Sequence, residues 1–202
     1  MKTITFKQYR STDLVLWTIM VLVSEAIATV ATTKWFPGQP IAISVSLMFT
    51  CVVMLRWGAF AALPAIAGGA VYCLASGAGT EQYVIYIVGN LFALLALLIV
   101  RLFGKEQVRT KLLPLLTFTG TAYVAVSLGR GLVSVMFGSE WKMIVAFLTT
   151  DVLSLLFAVV VVWLLRNVDG MTEDQKAYLF RIEREEKEKN GFENDDQERG
   201  IL

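Results

Sequence analysis

Four strongly polar side chains, Glu25, Asn90, Arg130 and Asp151, stand inside runs otherwise built for lipid. Asp151 is the sharpest case, because it interrupts AFLTTDVLSLLFAVVVVWLL, residues 146–165. A charge at membrane depth costs roughly 2.5–3.5 kcal/mol on insertion scales, so each such group needs a partner or a purpose. Their types allow three kinds of chemistry. Arg130 can pair with Asp151 or Glu25 while Asn90 hydrogen-bonds across helices, which is modest structural glue. The same groups can line a solvent-accessible pocket that binds a ligand. Glu25 and Asp151 can also be written as acid and base of an intramembrane reaction on lipid. Other chemistries are excluded by what is missing. The chain has no His, and its two Cys, Cys51 and Cys73, lie in apolar runs. Zinc-ligand spacings, Ser-His and Cys-His pairs and a glycine loop before a phosphate-binding Lys are all absent. The sequence therefore reads as a non-enzyme with no cofactor and no metal.

The elements that must position these residues follow from hydropathy. Of 202 residues 56% are hydrophobic and 17% charged, a balance far from that of soluble domains. About 20 apolar residues of helix cross a bilayer core. Six runs meet that length approximately, at 13–33, 40–56, 58–77, 83–103, 112–137 and 141–166. Turn-forming stretches separate most of them: KWFPGQP, SGAGTEQ, FGKEQVRTK and FGSEWK. The second and third runs meet at Arg56-Trp57-Gly58, so they form either a tight helical hairpin or one bent unit. The fold class is all-α, a polytopic membrane protein of six transmembrane helices.

Orientation follows from the basic residues. With the N-terminus in the cytoplasm, Lys2, Lys7, Arg10, Arg56, Arg101, Lys105, Arg109, Lys111 and Arg166 fall inside, and Lys34 and Lys142 outside. Both termini are then cytoplasmic and the protein is a multi-pass protein of the plasma membrane. A cleavable leader is the rival reading of the first run, since AIA at 26–28 imitates a cleavage site. That run is longer than a usual leader core, and Glu25 stands where cleavage would fall. Residues 1–168 make the membrane domain. Residues 169–202 hold 11 acids and 6 bases and read as an acidic cytoplasmic tail, first a solvated helix and then disorder. Thr172 with Gln175 suggests a capping box for that helix, and YLFRI at 178–182 is a candidate docking stripe.

With about 1.5 Å of rise per residue, the four polar groups come to lie in one layer, roughly 10–15 Å below the outer surface. Trp35, Phe36, Tyr83, Tyr86 and Trp141 fall at that level or above it, either as pocket walls or as interface anchors. The WFPGQP turn, stiffened by two prolines, is placed to act as a lid. If all are ionised and face one hollow, Glu25 and Asp151 against Arg130 favour a cationic or hydrogen-bond-donating ligand. GAFAALPAIAGGAVYCLASG, residues 58–77, carries small residues four apart, such as Gly58 with Ala62 and Ala65 with Gly69. Such a face serves packing within the chain or a groove for another membrane subunit.

Six spans, cytoplasmic ends, a hairpin-like second and third span, a polar layer toward the outside and the Gly- and Ala-rich stretch RWGAFAALPAIAGGAVYCLASG together resemble the substrate-binding (S) components of energy-coupling factor transporters. The resemblance covers about residues 10–167 and is architectural. It implies capture of a vitamin or precursor in an outward pocket made by helices four to six and the first outer loop. The matching positions are Tyr86, Asn90, Arg130 and Asp151 in the helices and Trp35 in the loop, with Glu25 added by the residue reading. It also implies a coupling membrane subunit and separate ATPase subunits as partners, and no nucleic acid. The chain departs from the family at LVLWTIMVL (14–22), where an Ala-x-x-x-Ala docking face would stand. A small six-span scaffold like those of the cell-wall elongation machinery has a similar architecture and is the alternative. It implies no outward cavity and a buried Arg130–Asp151 pair.

Overall fold

Unbroken apolar sequence satisfies its backbone in lipid only by helical hydrogen bonds or a closed barrel, and in the computed structural model the helical solution is taken throughout. The structure describes residues 5–35, 43–168 and 170–184, and these hold helices and no strand. The elements are α1 (Phe6–Trp35), α2 (Ser46–Trp57), a 3₁₀ turn (Gly58–Ala61), α3 (Ala62–Ser76), α4 (Thr80–Leu91), a second 3₁₀ stretch (Phe92–Ala96), α5 (Leu97–Phe103), α6 (Lys105–Thr110), α7 (Leu112–Met136), α8 (Lys142–Thr150) and α9 (Val152–Leu165). A last helix, α10, covers 175–184. By length and composition four helical segments can cross a membrane, and five if α8 and α9 are one bent span.

The second and third apolar runs double back. Gly58 carries φ 62°, a left-handed backbone that ends α2 and that a side chain resists. Beyond this turn Gly68 comes against Ser46, close enough that a Cβ on Gly68 would overlap the serine side chain. Two residues that far apart in sequence meet because the chain turns back on itself at Gly58. With 12 residues α2 is only about 18 Å long. Its N-terminus therefore starts partway down the bundle, where Ser44 and Ser46 are buried.

The small face of α3 is consumed inside the chain. Ala61, Ala65, Gly68, Gly69 and Cys73 are buried. A Cβ on Gly69 would lie 2.9 Å from the Tyr86 carbonyl of α4. The core that these contacts enclose runs through Val21, Cys51 to Leu55, Ala61, Leu115, Phe118 and Ala122. Leu16, Val23, Ile27, Leu98, Leu132 and Leu156 are exposed on the outside, as a lipid-facing surface requires.

The sixth apolar run is not one straight helix. It bends by 43° between α8 and α9, with Asp151 at the break. Thr149 and Thr150 donate back to the carbonyls of Val145 and Ala146 at 3.0 and 2.9 Å, a pattern that bends helices.

At the opposite end of the bundle the chain past α9 folds back onto the helices. Arg56 donates through Nη1 to the carbonyls of Gly170 (2.6 Å) and Met171 (3.0 Å). Its other edge makes two bonds to Asp13, at 2.7 and 3.1 Å, and Trp57 Nε1 donates to the same carboxylate at 2.5 Å. Tyr9 donates to Gln175 at 2.9 Å. The expected capping box is replaced. Asp174 caps α10 by accepting from the backbone N–H of Lys176 at 2.9 Å, while Gln175 is buried and donates to the Gly170 carbonyl. Thr172 is buried without a hydrogen-bond partner for its hydroxyl. The first part of the tail is thus docked rather than solvated. The proposed disorder at 190–202 and most of the WFPGQP lid lie outside the described residues.

Candidate functional site

Arg130 is the centre of the polar layer. It sits on α7 with only 5% of its surface exposed, so its guanidinium needs internal acceptors. Nη1 donates to Asp151 Oδ2 at 2.5 Å. Nε and Nη2 both donate to Asn90 Oδ1, at 3.1 and 2.7 Å. Asn90 passes the network on, since its amide donates to the Ala65 carbonyl of α3 at 3.1 Å. Asp151 Oδ1 accepts from Ser154 at 3.0 Å, and Ser154 Oγ accepts the N–H of Ser44 at 2.9 Å. The chain of bonds joins α3, α4, α7, the α8–α9 break and the segment leading into α2.

Close approach of α4 to α7 makes this reach possible. A Cβ on Gly89 would lie 2.8 Å from the Arg130 backbone, so the glycine before Asn90 lets the two helices touch. The aliphatic and planar parts of Arg130 then lie under an aromatic wall. Its guanidinium carbon is 4.6 Å from the centre of the Tyr86 ring, a cation–π distance. Tyr86 stacks on Tyr72 at 4.5 Å and meets Phe147 edge-on at 6.0 Å.

Glu25 has a different task. Its Oε2 accepts the backbone N–H groups of Val45 and Ser46 at 2.8 and 2.9 Å. These are donors that the start of α2 leaves without intrahelical partners, and a carboxylate there also meets the positive end of the helix dipole. Glu25 is therefore a cap supplied by a neighbouring helix. Its Oε1 and the Thr29 hydroxyl one turn on are both buried without a hydrogen-bond partner.

The structure thus brings together Tyr86, Asn90, Arg130 and Asp151. It places Glu25 alongside, linked through residues 44–46, and leaves Trp35 exposed at the end of α1. A cavity at the ion pair is lined by Ser44, Ser46, Leu47, Thr50, Asn90, Ala93, Tyr123, Val126, Arg130 and Asp151. Glu25 is not part of that lining, so the walls carry one positive and one negative group instead of an excess of acid. The cavity measures about 10 Å³, room for one water. Among the described residues no group of three or more His, Cys, Asp or Glu is placed to hold a metal, and Cys51 and Cys73 are free and buried.

No family model, curated protein or solved structure matches this chain. Functional weight therefore falls on geometry alone. Ser44, Ser154, Thr50 and Tyr123 were not singled out by sequence reasoning. Ser154 had one available signal, standing three residues after Asp151 on the same helical face. Ser44 had none, because its place depends on where the chain re-enters the bundle.

Proposed function

We propose that this protein is a membrane-embedded substrate-binding subunit of a micronutrient importer, taking its ligand between α4, α7 and the α8–α9 break. In this reading six passes are made by α1, α2, α3, α4–α5, α7 and α8–α9, and both termini are cytoplasmic. The contacts of Tyr9, Arg56 and Lys105 with residues 170–175 at one end of the bundle support that orientation, as does the basic bias of the same end. The observation that carries the functional reading is the convergence of Asn90, Arg130 and Asp151 on one polar cavity at a helix break. Broken helices at membrane depth are where transporters build substrate sites.

The cavity has room for no more than about one water, so in this reading the ligand takes the place of the Arg130–Asp151 bond. A ligand compensates only if it offers an acceptor to Arg130 and a donor to Asp151 together. That selects a zwitterion, or a heterocycle with a donor beside an acceptor, and adds an acceptor to the cationic or hydrogen-bond-donating ligand suggested by counting charges. A coupling membrane subunit and ATPases would supply the energy, since this chain has no phosphate-binding loop.

The small size of the cavity favours a second reading, a non-transporting scaffold in which Arg130–Asp151 is a tie between helices. Two measurements separate them. Purified protein is titrated with vitamins and their precursors, reading tryptophan fluorescence, alongside Arg130→Ala and Asp151→Ala. Single cysteines at Ala93 and Val126, with Cys51 and Cys73 replaced by Ala, are exposed to a membrane-impermeant thiol reagent from outside. The importer reading expects saturable binding that both substitutions abolish, and labelling that ligand suppresses. Absent binding and unreactive cysteines would establish the scaffold.

A further inference from the structure

At the tail end of the bundle lies an open groove of about 400 Å³, lined by Arg109, Thr110, Arg166, Asn167, Glu173 and Arg181. Its three guanidiniums come from three separate segments: α6, the end of α9 and α10. One carboxylate, Glu173, stands in the lining, and Glu106 beside it also meets Arg109 at 3.3 Å. Glu173 takes Arg109 on Oε1 and Arg181 on Oε2, the latter at 3.0 Å, and so fixes both forks in place while offsetting one charge. Arg166 donates to the Thr110 carbonyl at a long 3.4 Å and lies 5.5 Å from the Trp163 ring centre. Among the described residues Arg166 meets a carbonyl and a ring but no carboxylate, so the charge open to an anion is centred on it. Its level in the bundle is fixed by its neighbours. Arg166 directly follows the apolar stretch VVVVWLL, and the exposed Leu112 and Leu113 open α7 beside it. Apolar surface meets polar groove at this line, which is where a headgroup sits.

We propose that this groove binds the phosphate of an anionic phospholipid in the leaflet on the tail side. Guanidinium forks match phosphate oxygens two at a time, and basic pockets between membrane helices take anionic headgroups. Two of the lining residues, Glu173 and Arg181, belong to the tail, so the site is complete only when the tail is docked. Lipid binding and tail docking therefore reinforce each other. This assignment is independent of the ligand reading at Arg130.

The full chain, purified in a maltoside detergent, is titrated with short-chain phosphatidylglycerol, short-chain phosphatidylcholine and inorganic phosphate. The readouts are the thermal midpoint and protection of the 170–184 segment from protease. Phosphatidylglycerol raises both and phosphatidylcholine neither. Arg166→Gln, which removes no tail contact, weakens the phosphatidylglycerol response about tenfold or more, the loss expected for one charge-assisted contact. Arg166→Lys, keeping the charge without the fork, falls between. Lys142→Gln, at the far end of the bundle and highly exposed, changes nothing. An equal response to phosphatidylcholine, an unaltered Arg166→Gln, or an equal loss in Lys142→Gln overturns the site. An equal response to inorganic phosphate overturns its assignment to lipid.

Discussion

The two charged networks of this molecule are built to opposite specifications. Around Arg130 the groups are held away from solvent, with the Arg130 and Asp151 side chains 6% and 7% exposed. At the tail end the pairs are shared and wetter. Glu173 serves two arginines, Lys105 pairs with Asp174 at 36% and 39% exposure, and backbone carbonyls of the tail turn rest on Arg56. Attraction in the first setting is strong but so is the desolvation that opposes it. In the second, water and salt weaken the exposed Lys105–Asp174 pair, while Arg56 and Glu173 stay mostly buried and share several partners. The inner layer is therefore a lock that one substitution breaks, and the tail a latch that opens by degrees.

The largest effect is expected where one half of the lock is removed. Arg130→Ala or Asp151→Ala leaves an uncompensated charge in the bundle and should destabilise the protein by about 3–5 kcal/mol, measured by unfolding in detergent. The double variant Arg130→Met/Asp151→Leu removes both charges and should recover most of that loss. If it is no more stable than the single variants, the pair contributes more than its charges, and a ligand-binding role for both becomes harder to avoid.

A smaller effect separates packing from charge in the same layer. Gly89→Ala changes no polar group, yet its Cβ must find room 2.8 Å from the Arg130 backbone. Overpacking of this kind costs about 1–3 kcal/mol, and it should also lengthen the Asn90–Arg130 bonds. Unfolding in detergent gives the first number, and weakened ligand binding would report the second.

Glu25 sharpens the comparison from another side. Glu25→Ala leaves the Val45 and Ser46 N–H groups without an acceptor, at about 1–3 kcal/mol. Glu25→Gln keeps an acceptor oxygen and should lose less. Equal losses in the two variants would mean that the negative charge, opposed to the α2 dipole, matters more than the hydrogen bonds.

Sequence made the inner layer easier to read than the latch, and the reason is physical. Apolar context makes a polar residue conspicuous, so Asn90, Arg130 and Asp151 stood out, and their common depth followed from helical rise. In 170–184 the side chains that make the docking ion pairs and hydrogen bonds are polar among polar neighbours, so Glu173 and Asp174 read as solvated until their partners Arg109 and Lys105 are seen beside them. Glu25 was visible as an anomaly while its role was not, because its partners are main-chain groups whose position depends on where α2 begins. The 3₁₀ stretch at Phe92–Ala96 was equally hidden. FALLA is good helical sequence, and nothing local warns that Phe92 must pack against Gly129 of α7. The break at Asp151 was present in the letters TTD, yet the apolar run on both sides favoured one straight span.

The smallest effect belongs to the latch, and pH reaches it without mutation. Burial alone would raise the Asp174 carboxyl. The hydrogen bond and charge of Lys105, with the N–H groups of Lys176 and Ala177, outweigh it and hold the group below its ordinary value of 3.8. A carboxyl depressed by docking contributes its full share above the undocked value and loses it as pH falls through the docked one. Tail protection from protease should therefore be flat from neutral pH down to about 4 and decline below that. Asp174→Asn should lower protection at neutral pH and flatten the acid decline. Because the pair is more than a third exposed, added salt should loosen the wild-type tail in the same direction. The Arg130 layer, shielded from the same ions, should keep its unfolding midpoint. Were salt to lower both together, the tail would be part of what holds the bundle shut, and the lock and the latch would be one device.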